Sequence, residues 1–204
     1  MKYMDPKSDL TFKKVFGEHP ALLISFLNAM LPLEEGGEIE EIEYLSPELV
    51  PDHPMRKDTI VDVRCRDKRK RQFLVEMQIV WTPDFKKRVL FNASKAYTQQ
   101  IDSGHQYKFL QPVYSLNLID QVFEPDLPTY YHLYQLHHTE FPERKLEGLV
   151  FVFVELPKFS PRTFTEKKMK VLWMRYLTEI KDYTETIPAE LLEVPEIKEA
   201  VEIL

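Results

Sequence analysis

Cysteine, glycine and long apolar stretches are scarce in this sequence of 204 residues. The single cysteine excludes an internal disulfide, and Cys65 falls on the apolar face of a predicted strand, which favours a small buried side chain over a reactive thiol. The five glycines form no glycine-rich loop and no serine lies in a nucleophile elbow, so nucleotide-cofactor chemistry is not expected. The longest apolar stretch, residues 149–156, contains Glu155 and is too short to span a bilayer.

The first residues lack the apolar segment of a secretory signal, which predicts a cytoplasmic protein that does not enter the membrane. The net charge is −6, which argues against a protein that coats nucleic acid indiscriminately. Positive charge is nevertheless clustered in residues 64–71 and 86–88. Such clusters are either solvated loops or, beside a metal site, a surface that holds an anionic polymer.

The most informative pattern is a pair of alternating runs, residues 60–65 and 73–79, around a charged stretch at 67–71. They predict a β-hairpin. With the turn centred on Arg69, Asp62 lies directly across from Glu76, with Cβ atoms about 4.5–5.5 Å apart. One face of the hairpin is predicted to be apolar and consists of Val61, Val63, Cys65, Phe73, Val75, Met77 and Ile79.

Two opposed carboxylates on the other face repel each other unless a cation lies between them. Hard oxygen donors at this separation suit Mg²⁺, so Asp62 and Glu76 predict a metal site. Gln78 follows on the same face, where its amide would orient a metal-bound water or hold a phosphate oxygen, which indicates hydrolysis. The alternative is an amphipathic hairpin with one ordinary solvent-facing side. Against that alternative, aspartate is a poor strand former within the run 60–63.

The remaining pattern predicts a mixed α/β fold. Ser8 or Asp9 caps a first helix that ends at Gly17, and a second helix runs from Pro20 to before Pro32. Thr82 as cap and Pro83 at the first position predict a long helix that stops at Gly104. Strands are predicted at 39–45, 113–119, 130–136 and 149–154.

The long helix carries a polar stripe of Arg88, Asn92, Lys95 and Gln99 opposite an apolar one. This polar stripe is either a phosphate-contacting surface or an ordinary solvent face. The six histidines show no recognisable metal-ligand spacing.

The domain organisation is predicted as a mixed α/β domain over residues 1–160 and a C-terminal helical extension over 161–204. Thr163 and Glu166 form a capping box for the first helix of that extension. The apolar periodicity continues to the last residue, which suggests either a truncated chain or a docking helix.

Beyond these patterns, the sequence resembles the recombination-promoting nuclease and transposase family within the PD-(D/E)XK nuclease superfamily. The order and spacing of the matching pieces carry the resemblance, although each piece is weak alone. The pieces are residues 9–17, 22–31, Asp62, 75–78, 94–97, Gly104, Tyr107, Pro112 and 155–159.

The resemblance implies an αβββαβ restriction-endonuclease-like core, with a mixed sheet flanked by helices. Asp62 corresponds to the family's first acid and Glu76 to its second, and with the backbone carbonyl of Met77 they would bind Mg²⁺, or else Mn²⁺ or Ca²⁺. The cation would activate water for attack on a DNA phosphodiester in an endonuclease reaction that promotes recombination. Catalytic residues would be Asp62, Glu76 and Gln78. The candidate DNA-contacting residues are Lys13, Arg64, Arg88, Asn92, Lys95 and Gln99.

Two residues depart from the superfamily pattern. Val61 replaces a proline that has no chemical role, and Gln78 replaces the usual lysine, although the family commonly carries glutamine there. A neutral amide cannot stabilise hydroxide as an ammonium does, so Lys95 or Arg88 could supply the charge. The alternative function is a catalytically weak or inactive nuclease fold that serves as a DNA-binding or protein-interaction module. A homodimer is compatible with either function.

Overall fold

The computed structural model describes residues 3–49, 59–102, 104, 106–161, 168–182 and 184–204. The chain contains both helices and strands, as the hydrophobic periodicity predicts. The helices are α1 (Asp9–Glu18), α2 (Pro20–Met30), α3 (Phe85–Thr98), α4 (Lys168–Glu179), α5 (Ala189–Leu192) and α6 (Pro195–Ile203). The strands are β1 (Ile42–Tyr44), β2 (Glu48–Leu49), β3 (Thr59–Ile60), β4 (Val63–Asp67), β5 (Gln72–Gln78), β6 (Val113–Ile119), β7 (Tyr131–His137) and β8 (Lys145–Glu155).

Six strands form one mixed sheet in the order β1-β4-β5-β6-β8-β7, and β2 and β3 form a separate pair. Strands β5, β6 and β8 are parallel, while β1, β4 and β7 add antiparallel neighbours. When the β2–β3 pair is set aside, the chain runs helix, three strands, helix, strand through α1/α2, β1, β4, β5, α3 and β6. The predicted mixed sheet flanked by helices is therefore confirmed.

One face of the sheet is covered by α1, α2, α4 and α6, which share a single apolar core with it. Trp173 on α4 is fully buried, and its ring centroid lies 5.5 Å from those of Phe16 and Phe26. Tyr176 is buried beside Trp173. The C-terminal helices therefore complete the core that the N-terminal helices begin.

Helix α3 covers the opposite face, where a second apolar cluster forms. Phe85, Val89, Ala93 and Ala96 repeat at helical spacing and are all buried. They pack over Leu74 of β5 and its neighbours. This helix determines which side chains of β5 are removed from water.

The observed start of a helix agrees with the prediction where a side chain caps it. Ser8 accepts the backbone N–H of Thr11 at 3.4 Å and so caps α1, as predicted, although the helix runs on to Glu18. Helix α3 is shorter than predicted and spans Phe85–Thr98. It ends early because Gln100 turns away and exchanges hydrogen bonds of 2.8 and 2.9 Å with the backbone of Gln111.

The strand ends also differ from the prediction. The first strand is limited to Ile42–Tyr44, β6 matches its predicted range, and β8 begins earlier, at Lys145.

The predicted capping box of Thr163 and Glu166 lies outside the described residues. Within the described ranges, no helix combines the length and apolar character needed to cross a membrane.

A buried acid ties together the end of β8 and the loop before β7. Glu155 has no exposed side-chain surface, and its Oε1 accepts the backbone N–H groups of Phe123 and Glu124 at 2.6 and 2.9 Å. Its Oε2 lies 2.8 Å from His132 Nε2 and 2.5 Å from Lys158 Nζ. Lys158 also donates to the backbone carbonyl of Leu127. The network therefore gives a structural role to segment 155–159, one of the pieces that carry the family resemblance.

Candidate active site

Asp62 lies at a bend between two strands and is half-buried. The predicted continuous run 60–65 is wrong here, because β3 ends at Ile60 and β4 begins at Val63. The bend lets Asp62 Oδ2 accept the backbone N–H of Met77 at 2.7 Å. Because of the bend, the Val61 side chain packs in the second apolar cluster, under α3, and not on the apolar hairpin face predicted for it.

The hairpin register agrees with the predicted turn at Arg69. Val63 pairs with Val75, and Cys65 pairs with Phe73. Asp62 is therefore one position beyond the paired segment, at the level of Glu76. On the predicted apolar face, Val63, Cys65, Phe73 and Val75 are buried and Met77 is half-buried, whereas Ile79 is 49% exposed.

The second face of β5 is not a solvent face, which corrects the alternative considered from the sequence. Glu76 is only 5% exposed, and Gln72 and Leu74 beside it are also buried, because α3 lies over them. Glu76 Oε1 accepts Asn92 Nδ2 at 3.0 Å and Oε2 accepts Arg88 Nη2 at 3.3 Å. A carboxylate in this position is held by two side chains of one helix.

Gln78 lies beside this pair at the end of β5. Its Oε1 accepts Arg88 Nη2 at 2.7 Å, and its Nε2 donates to the backbone carbonyl of Val80 at 2.5 Å. The amide is thus oriented from both ends. Arg88 connects Gln78 to Glu76 and places a permanent positive charge beside both side chains.

A second cation reaches the site from α1. Lys13 Nζ lies 2.6 Å from Asp9 Oδ1 and 3.5 Å from Asp62 Oδ1. The sequence alone assigned no catalytic step to Asp9 and Lys13, which precede the hairpin by some fifty residues. The fold brings them to Asp62 because α1 packs against β4.

The six candidate DNA-contacting residues divide into two groups. Lys13, Arg88 and Asn92 surround the two acids. Arg64 and Gln99 line a separate pocket, and Lys95 donates its Nζ to the backbone carbonyl of Leu49. Asn92 is 1% exposed, so this part of the helical stripe is not a solvent face.

Burial controls the electrostatics of both acids. It raises the pKa of the Glu76 carboxyl above its ordinary value, although Arg88 and the Asn92 hydrogen bond oppose the shift, and the charge of Asp62 adds to it. Burial likewise raises the pKa of Asp62, against the N–H of Met77 and the charge of Lys13. Each ionised carboxylate therefore carries a cost that a cation between them would relieve.

A divalent cation fits this donor set. Mg²⁺ binds through one or two carboxylates and keeps several waters, and Asp62 and Glu76 supply two carboxylates. Asn92 Oδ1 is buried and, among the described residues, has no hydrogen-bond partner. Within the described part of the chain, no cluster of three or more histidine, cysteine or acidic side chains has the arrangement of an all-protein metal cage.

The model of the PD-(D/E)XK nuclease family transposases matches residues 6–204. The chain belongs to this family. No curated protein matches the chain, and no solved structure does.

Membership in the PD-(D/E)XK nuclease family transposases identifies the expected family and fold. It also gives the function in outline, a nuclease of the transposase type, for which DNA is the implied substrate. The matched range extends through α4, α5 and α6, which agrees with their contribution to the shared core.

Replacing Glu76 by glutamine should stabilise this PD-(D/E)XK protein in the absence of metal. A carboxyl whose pKa is higher in the folded than in the unfolded state binds protons more tightly when folded, so its ionised form destabilises the fold at neutral pH. We expect Glu76→Gln to add on the order of 1 kcal/mol, or about 2–4 °C in Tm, in EDTA. Thermal unfolding followed by circular dichroism measures it.

Millimolar Mg²⁺ supplies the matched control for that measurement. It should raise the Tm of the wild type, because a ligand that binds only the folded state stabilises it, and leave Glu76→Gln unchanged. A Glu76→Gln variant that melts below the wild type in EDTA would contradict the electrostatic account of the site.

Proposed function

We propose that this protein is a divalent-metal-dependent DNA endonuclease whose cleavage promotes recombination. The observation that carries the proposal is the convergence of Asp62, at the bend before β4, and Glu76, on β5, in a partly buried site bordered by Arg88 and Lys13. Acids and cations in this arrangement serve the hydrolysis of a phosphodiester, in which a metal-activated water attacks an anionic centre.

Three groups of the chain would hold the metal: the carboxylates of Asp62 and Glu76 and the backbone carbonyl of Met77. The N–H of Met77 points to Asp62, and the N–H and C=O of one strand residue face the same edge. Mg²⁺ is the preferred ion for two carboxylates and a carbonyl, with Mn²⁺ or Ca²⁺ as substitutes. When bound, it supplies a nucleophilic water and charge stabilisation at the phosphate.

The side chains around the acids have separate roles. Arg88 holds Gln78 and Glu76 in fixed orientations, and its guanidinium is 44% exposed and so is available to a phosphate oxygen. Lys13 places an ammonium beside Asp62 and is 42% exposed. The Asn92 amide donates a hydrogen bond to Glu76 and so orients the Glu76 carboxylate. We therefore assign the missing lysine's charge to Arg88, with Lys13 on the other side, in preference to Lys95.

Gln78 orients the attacking water or a phosphate oxygen in this scheme. Its two hydrogen bonds leave the amide plane fixed, which suits a group that positions rather than transfers a proton. Proton transfer would then fall to the metal-bound water and solvent.

A catalytically weak or inactive DNA-binding module is the second candidate function. The observation that favours it is the occupation of both Glu76 oxygens, by Asn92 and by Arg88. A carboxylate held in this way has fewer free lone pairs for a cation.

Incubation of supercoiled plasmid with the purified protein distinguishes the two functions. The endonuclease converts the plasmid to nicked or linear forms in Mg²⁺, and EDTA prevents the conversion. The inactive module retards the plasmid on a gel but leaves it supercoiled under both conditions.

A further inference from the structure

A polar pocket with no acid in its described lining lies along the sheet from the two carboxylates. It has a volume of about 410 Å³ and lies between the turn end of the β4–β5 hairpin and the C-terminal end of α3. Its charged and amide side chains are Arg64, Arg66, Lys70, Gln72, Gln99 and Gln100. Three cations thus face one concavity in a protein whose net charge is −6.

Arg64 is the side chain in this pocket that indicates an anionic ligand. It is half-buried, and its Nε and Nη2 donate to the neutral Gln72 Oε1 at 3.3 and 3.0 Å. Among the described residues, no carboxylate lies within ion-pair distance of it. Burial, and then the charge of Arg66, lower the pKa of Arg64. A guanidinium partly removed from water, beside a second cation, is stabilised when an anion enters.

The pocket is pre-organised by groups that are fixed from outside it. Gln72 is 7% exposed and orients Arg64, and Gln100 is fixed by two hydrogen bonds to the backbone of Gln111. Arg66 is held by Glu43 through a 2.8 Å contact. Because these side chains are already ordered, a ligand would lose little binding free energy in ordering them.

The distance between the pocket and the two acids indicates which ligand the pocket binds. Gln72 precedes Glu76 by four residues on β5, which corresponds to about 13 Å along the strand. Gln72 and Glu76 lie on the same face of the sheet, next to α3. About 13 Å corresponds to about four base pairs at 3.4 Å per step.

We propose that this pocket binds a backbone phosphate of the DNA substrate about four base pairs from the scissile bond. This inference rests on the proposed endonuclease function and extends it to the flanking duplex. The guanidinium of Arg64 presents paired N–H donors that match two phosphate oxygens, and Lys70 adds a charge at the rim. The pocket would therefore position the duplex without reading its sequence.

Salt-dependent DNA binding tests the proposal with two variants. Arg64→Gln removes the charge and keeps a polar side chain, and Lys70→Asn removes a rim charge at φ +66°, a conformation that asparagine tolerates, so the turn is retained. The matched control is Lys198→Gln, an exposed cation on α6 on the other side of the sheet. Fluorescence anisotropy with a duplex of about 20 base pairs, in EDTA to prevent cleavage, gives the affinity at each salt concentration.

We expect Arg64→Gln to reduce the slope of log K against log salt by about 0.9 and to weaken binding roughly five- to tenfold at 0.1 M salt. Lys70→Asn should act in the same direction, and Lys198→Gln should match the wild type. If Arg64→Gln and Lys70→Asn both match Lys198→Gln while the wild type binds DNA, the phosphate pocket is refuted and the endonuclease proposal stands. A wild type that does not bind DNA at all would overturn both.

Discussion

Asp62→Asn should abolish the Mg²⁺-dependent cleavage of plasmid DNA, with a loss in rate of at least about 10³-fold. The amide removes the negative charge that would hold the cation beside Glu76, and the metal supplies several kcal/mol of transition-state stabilisation, at 1.36 kcal/mol for each factor of ten. The measurement is the initial rate of conversion of supercoiled to nicked plasmid.

The substitution is chosen to leave the fold intact. Asparagine keeps an oxygen that accepts the backbone N–H of Met77, so the bend between β3 and β4 is retained. The matched control is Asp126→Asn, the same chemical change at an exposed position in the loop before β7, which should cleave at the wild-type rate. An Asp62→Asn protein that is folded and nicks plasmid as fast as Asp126→Asn would eliminate the two-acid site.

Glu155→Ala should lower the free energy of unfolding by about 3–5 kcal/mol, the largest effect on stability that we expect from one charged residue. The change leaves the buried His132 and the half-buried Lys158 without their carboxylate, together with the N–H groups of Phe123 and Glu124. For a chain of this length the Tm should fall by about 6–20 °C. Thermal unfolding measures the loss.

The same strand provides the control for Glu155→Ala. Glu147 is exposed on β8, and Glu147→Ala should change the Tm by no more than the usual surface substitution, about 0.5 kcal/mol. Equal melting of the two variants would show that the Glu155 network does not stabilise the fold.

The same network predicts a pH dependence. Burial alone would raise the pKa of Glu155, but the N–H of Glu124, Lys158, His132 and the N–H of Phe123 together bring the pKa below its ordinary value. A depressed folded-state pKa contributes stability above the unfolded pKa, about 4.3, and loses it as the pH falls through the folded pKa. In urea titrations below about pH 4.3, the wild type should therefore lose stability more steeply than Glu155→Gln. Parallel slopes would contradict this.

The sequence predicted the hairpin because it depends on local alternation and a local turn. The pairing of Val63 with Val75 follows from a turn at Arg69, and Asp62 consequently lies at the level of Glu76. Helices α1 and α2 were equally predictable, since a capping serine and a proline at the first position are local signals.

The environment of Glu76 could not be predicted in the same way. Alternation shows that Glu76 and Val75 lie on different faces, but it does not show which face another element will cover. Only the packing of α3 decided that Glu76 is buried, and it also decided which cations of the stripe approach it, Arg88 rather than Lys95. The break at Asp62 was missed because the hydrogen bond that accompanies it joins Asp62 to Met77, fifteen residues away.

By itself, the sequence determined the β4–β5 hairpin and its register, because these depend on short-range periodicity and turn chemistry. The tertiary structure decided what surrounds the two acids: Lys13 from α1, Arg88 and Asn92 from α3, and the neighbouring pocket in which Arg64 donates to Gln72. These contacts join residues far apart in the chain, and their strength depends on burial, which no local pattern specifies.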